Sequence, residues 1–129
     1  MFNDLLGTKF TDGGRSKETG FDCWGLVIEI YRRHGIVLPE YTMAAYDDVS
    51  IAGVFTSEIE TGAFVRVPDG LPAPAIVLMR LMCGQWANHV GVHVGNGRFI
   101  HICKGAGVAI ERLDSLKWKS RIEGIYTLR

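Results

Sequence analysis

A chain of 129 residues that is 47% hydrophobic can bury one real core but is short for two, so a single domain over residues 1–129 is expected. Fourteen basic and 14 acidic residues cancel, and no Lys/Arg run is dense enough for a nucleic-acid groove or an anionic membrane surface. No apolar stretch is long enough to span a bilayer, and Met1 to Leu6 lacks the basic start and apolar run of a secretory signal, which predicts synthesis and folding in a cytosol.

The segment through Gly20, rich in Gly, Thr, Ser and charge with a turn signal at Asp12-Gly13-Gly14-Arg15, reads as irregular. From Asp22 to His34 the apolar residues Cys23, Leu26, Val27, Ile30 and Tyr31 follow the spacing of a buried helical stripe. Asp22 is a fitting N-cap, Gly35 a stop, and Pro39 prevents quick resumption. A second helix is expected over Asp47 to Glu60. Beyond it, apolar and β-branched runs predict strands at Phe64 to Val67, Ile76 to Met82, His89 to Val94, Arg98 to Cys103, Val108 to Glu111 and Ile122 to Leu128. Helices first and strands afterwards imply an α+β fold, with N-terminal helices packed on a C-terminal antiparallel sheet.

The three cysteines, Cys23, Cys83 and Cys103, are odd in number and lack C-x-x-C spacing, which argues against a disulfide framework and a zinc ribbon. Cys23 lies on the apolar stripe, where a cysteine usually only packs. Its place in the first helical turn changes that expectation, because unpaired N–H groups and the positive end of the helix dipole favour thiolate there. The same N–H groups can stabilise an oxyanion, and Gly20 and Gly25 are expected to leave room for a substrate carbonyl.

A catalytic thiol also needs an imidazole and a group to orient it. Of the four histidines, His34 sits at the end of the helix beside Arg32 and Arg33 and suits a capping role. His89, His93 and His101 fall in one presumed hairpin. Strand parity sends Val90, Val92 and Val94 to the core and His89, Gly91 and His93 to the other face. If Gly95-Asn96-Gly97 forms a three-residue loop, His101 lands opposite Gly91 and all three imidazoles share a face. A two-residue Asn96-Gly97 turn would shift the register by one and send His101 to the valine side, so the constellation requires the longer loop. In that register His101 is diagonal to both His89 and His93, and parity alone does not choose between them. A metal site on His89 and His93 is not expected, because residues four apart on a strand are separated by about 13 Å. Cys83 and Cys103 read as ordinary thiols, with Cys103 on the parity of His101.

The string Gly20-Phe21-Asp22-Cys23-Trp24-Gly25-Leu26-Val27, followed in order by His89-Val90-Gly91 and Phe99-Ile100-His101, resembles the NlpC/P60 family of cysteine peptidases. The resemblance runs from about Phe10 to the end and implies a papain-like domain. It implies Cys23 as nucleophile, His89 as base and His101 as the orienting third residue, with no cofactor and no metal. Asp22, Cys23, Trp24 and Phe10 are the residues it implies around the oxyanion and substrate. Phe10 stands where Tyr is frequent and Trp24 where Ser is frequent. The implied activity is hydrolysis of the γ-D-glutamyl to diamino-acid bond in peptidoglycan stem peptides. Asp12 to Arg15, Trp24, Ile36 to Pro39 and Ile122 to Tyr126 look most like the phage and prophage tail-assembly branch, so phage tail proteins are the implied partners. The alternatives are a structural tail-assembly module with little catalysis, or a thiol hydrolase or acyltransferase acting on another amide.

Overall fold

In the computed structural model, which describes residues 2–38, 64–67, 72–80, 89–103 and 105–128, the opening segment is more ordered than its composition predicts. A 3-10 turn (Asn3–Leu5) buries Leu5. A two-stranded antiparallel ribbon, β1 (Arg15–Ser16) and β2 (Gly20–Phe21), carries Phe21 into the core. The expected helix follows as α1 (Cys23–Arg33). Asp22 caps it, accepting the Gly25 N–H at 2.6 Å, a bond typically worth about 1 kcal/mol. Leu26, Val27, Ile30 and Tyr31 are buried as the stripe requires, each aliphatic contributing about 1.5–3 kcal/mol. At its far end the His34 imidazole donates from Nδ1 to the Ile30 carbonyl at 3.0 Å, the capping role expected of it. Arg33 clamps Asp4 with two bonds of 2.7 Å and also reaches Glu29, tying the opening turn to the helix.

The remaining elements are β3 (Phe64–Arg66), β4 (Ala75–Met79), β5 (His89–Gly95), β6 (Arg98–Cys103), β7 (Gly107–Arg112), a short helix α2 (Leu116–Lys119) and β8 (Ile122–Leu128). The strands form one antiparallel sheet in the order β3-β8-β4-β5-β6-β7, so the architecture is α+β. The strand expected to run to Met82 ends at Met79. Arg80 bonds instead from its N–H to the Arg121 carbonyl. The helix expected over Asp47 to Glu60 and the Cys83 thiol lie outside the described residues. The four-residue α2, too short for a periodic signal, was not expected.

Period-two alternation divides the sheet as predicted. Ile76, Leu78, Val90, Val92, Ile100 and Ile102 pack with the α1 stripe into one core. Val77, Met79 and Phe99 pack on the other face against Trp118 of α2.

The β5–β6 connection differs from expectation in a way that preserves its consequence. Asn96 and Gly97, with φ of 56° and 72°, make the two-residue turn, which by itself would send His101 to the valine side, and Gly95 pairs with Arg98. One step later the ladder runs His93 opposite Phe99 and Val92 opposite Ile100. A bulge between His93 and Gly95 inserts one extra residue on β5, offsetting the one-residue shift of the shorter turn. His101 therefore stays on the His89 face.

Candidate active site

Three histidines were predicted to share a face, and the structure divides them. His93 donates from Nδ1 to the Pro72 carbonyl at 3.0 Å and accepts the Gly97 N–H on Nε2 at 3.3 Å. Both nitrogens are occupied in holding the hairpin end, which separates His93 from the other two on physical grounds. His89 and His101 meet directly, Nε2 to Nδ1, at 2.9 Å, with both residues buried. Gly91 makes that approach possible. A Cβ there would lie 2.8 Å from the Ile100 carbonyl oxygen and 3.0 Å from the His101 Cβ.

The far side of His101 bears on a residue that no local sequence pattern singles out. Glu111 of β7 pairs with Phe99, is diagonal to His101, and has Oε2 3.3 Å from His101 Nε2. A carboxylate only accepts, so Nε2 carries the proton and Nδ1 of the neutral ring is bare. His89 then must donate its Nε2–H to that nitrogen, which leaves the lone pair of His89 on Nδ1. Glu111 thus sets both tautomers. Recognising it required the β6–β7 pairing, which puts Ala109 opposite His101 and Glu111 one side chain further along the same face. Trp118 edge-on at 4.7 Å and Phe99 at 5.1 Å wall in the His101 ring. The Cys103 Sγ lies 3.6 Å from the same Nδ1.

Cys23 opens α1 and is 6% exposed. Backbone groups of Val90, Trp24 and Cys23 itself pull the thiol pKa downward, so the helix start and the beginning of β5 both act on the thiol, the latter one residue from His89. The expectation that this position favours thiolate is corrected. Burial, and after it the Asp22 carboxylate, outweigh the N–H groups and push the thiol up to about 12. Burial, reinforced by His101, likewise lowers His89 to about 3. His101 is also lowered, burial outweighing the opposing pull of Glu111. The resting pair is a neutral thiol and a neutral imidazole.

The other singled-out residues are more structural than expected. Asp22, 3% exposed, caps α1 and takes a 2.6 Å ion pair from Arg15. Trp24 is fully buried, so its indole belongs to the core while its N–H faces the sulfur. Phe10 is partly buried against the same core and bridges to Phe21. Gly20 and Gly25 do not open space for a substrate. A Cβ at Gly25 would collide with the Gly14 carbonyl, and one at Gly20 with Thr11 and the Lys9 carbonyl. Both glycines admit the opening segment of the chain itself.

Similarity to known proteins bears on the same elements. Murein DD-endopeptidase MepS/Murein LD-carboxypeptidase of Escherichia coli K12 is 30% identical over 123 residues, 94% of this chain and 56% of that protein. Gamma-DL-glutamyl hydrolase of Bacillus subtilis is 27% identical over 122 residues, 93% of this chain and 26% of that protein. The chain thus spans about half or less of these relatives. Among solved structures, an NlpC/P60 family protein from Bacillus cereus superposes with a TM-score of 0.65 at 25% identity, over 94% of this chain and 35% of that one. The NlpC/p60 domain of peptidoglycan hydrolase SagA does so with a TM-score of 0.60 at 18% identity, over 96% of this chain and 90% of that one. These neighbours share the papain-like α+β architecture. Since the model of the NlpC/P60 family matches residues 7–127, spanning α1, both histidine strands and β8, the chain belongs to the NlpC/P60 family.

Proposed function

We propose that this chain is a cysteine peptidase that hydrolyses peptidoglycan stem peptides at the γ-D-glutamyl to diamino-acid bond, with Cys23 as nucleophile, His89 as base and His101 as orienting residue. The observation that carries the reading is the buried chain of contacts from Glu111 through His101 to His89, on a strand whose next residue, Val90, acts through its backbone on the Cys23 thiol. The names of the relatives, a murein endopeptidase and a γ-DL-glutamyl hydrolase, support the substrate class.

With both partners neutral at rest, His89 Nδ1 takes the thiol proton as Cys23 attacks the carbonyl carbon, so charge separation is created during the attack. Proton loss makes the sulfur nucleophilic, and the imidazolium that forms is stabilised through His101 by the Glu111 carboxylate. Backbone N–H groups at the start of α1, Cys23 and Trp24 among them, are the donors available to the oxyanion. His89 returns its proton to the leaving amine. Water, activated by the same ring, then hydrolyses the thioester.

The setting proposed is a phage or prophage tail, with tail proteins as partners. A second reading is a tail-assembly module with weak catalysis, and the high pKa of Cys23 is the observation that favours it. Defined muropeptides incubated with the wild type, Cys23→Ala and His89→Ala, with products identified by mass, separate the two. Cleavage between D-glutamate and the diamino acid, lost in both variants, is the expected result. Absence of Cys23-dependent cleavage of any stem peptide overturns the peptidase reading. Co-purification with virions tests the tail assignment.

A further inference from the structure

The His101 Nδ1 lone pair faces two potential donors, His89 Nε2 at 2.9 Å and Cys103 Sγ at 3.6 Å. The ligand atoms of His89, His101 and Cys103 all lie within 4.8 Å of one another. In a tetrahedral zinc site, bond lengths of about 2.0–2.1 Å to nitrogen and about 2.3 Å to sulfur put neighbouring ligand atoms roughly 3.3 Å (N to N) and 3.6 Å (N to S) apart. The His101–Cys103 separation already meets that geometry, the two imidazoles need to part by about 0.4 Å, and His89 and Cys103, whose ligand atoms lie within 4.8 Å, need to close to roughly 3.6 Å. Glu111 holding His101 Nε2–H is the carboxylate that a metal-bound imidazole characteristically has behind it. His89 and His101 are buried, whereas Cys103 is only partly so and opens the cluster toward solvent.

We infer that His89 Nε2, His101 Nδ1 and Cys103 Sγ form a binding site for a borderline divalent transition ion of the zinc type. Thiolate and imidazole are the ligands such ions prefer over magnesium or calcium. On binding, the Cys103 thiol gives up its proton to solvent and the two rings ligate as neutral imidazoles, so one proton is released per ion. His89 must then move its remaining proton from Nε2 to Nδ1, and its hydrogen bond to His101 is replaced by the metal. An ion there leaves His89 no lone pair for the Cys23 proton. That inhibitory consequence rests on the proposed role of His89, but the binding site itself rests on ligand geometry alone.

Cobalt(II) titration of the purified chain tests the site without reference to hydrolysis. The expected result is tetrahedral Co(II) absorption with a thiolate-to-cobalt charge-transfer band at one ion per chain. The band persists in Cys23→Ala and disappears in both Cys103→Ala and Cys103→Ser, with circular dichroism verifying that each variant is folded. Zinc calorimetry is expected to show at least a roughly tenfold weaker dissociation constant for Cys103→Ala, equivalent to about 1.4 kcal/mol. A wild type with no thiolate–cobalt band overturns the inference. So does a band that survives loss of Cys103, since the sulfur ligand is then another cysteine.

Discussion

His89→Gln isolates what burial of that imidazole does to stability as pH falls. The ring is 1% exposed and titrates near 3 in the folded protein, against 6.5 when solvated, mainly because burial penalises its charged form. Between those two values the unfolded chain holds a proton on His89 that the folded chain does not. Stability therefore declines as pH drops below 6.5, and the contribution is complete above it. The slope is half of about 1.4 kcal/mol per pH unit at 6.5 and approaches that full value below it, so descending from 6.5 to about 4.5 removes roughly 2 kcal/mol. That is a large share of the margin of about 5–15 kcal/mol typical of a small domain. Urea unfolding followed by tryptophan fluorescence, in steps of about one pH unit, measures it for wild type and variant. His101, also lowered, titrates in both proteins, and Asp4, held well below the ordinary carboxylate range by Arg33, acts only at still lower pH. The difference between the two curves therefore reports His89 together with its coupling to His101. Wild type is expected to lose roughly 2 kcal/mol more than the variant over this window. Parallel curves, agreeing within about 0.5 kcal/mol, would falsify the conclusion that the ring is held neutral by burial.

Three further perturbations bear on the same site. Gly91→Ala places a methyl against the Ile100 carbonyl and the His101 Cβ, and is expected to destabilise by about 1–3 kcal/mol and to cut hydrolysis at least tenfold, measured by unfolding and muropeptide assays. Glu111→Ala is expected to lower kcat roughly tenfold with KM little changed, and Glu111→Gln to recover much of it because the amide oxygen still accepts from His101 Nε2; equal losses in both variants would count against tautomer control. Asp22→Asn keeps an oxygen for the Gly25 N–H while removing the charge beside the sulfur, so the pH midpoint for alkylation of Cys23 should shift downward. An unchanged or higher midpoint refutes the Coulombic role of Asp22.

Much of the candidate site was legible locally. The α1 stripe, its Asp22 cap and the alternation of β5 all arise from short-range rules: helical periodicity, an orphan N–H seeking a side-chain oxygen, and the two-residue repeat of a strand. The hairpin was harder, because a turn and a bulge contribute to register as a sum. The sequence suggested that His101 faces His89 without showing that a short turn plus one inserted residue produces it.

Local spacing specified where the candidate groups lie: a thiol opening an amphipathic helix, and imidazoles confined by strand parity to one face. How those groups behave depends on the folded surroundings. The Cys23 thiol is raised and the His89 ring lowered by burial, which depends on what every neighbouring element covers and outweighs the helix-terminal N–H groups. The choice of His89 over His93 came from partners distant in sequence, Pro72 claiming one ring and His101 the other. Glu111 entered the site because β7 lies beside β6, and no local pattern encodes which strands become neighbours. Spacing along a chain specifies faces and ends, whereas protonation and partnership depend on the three-dimensional surroundings.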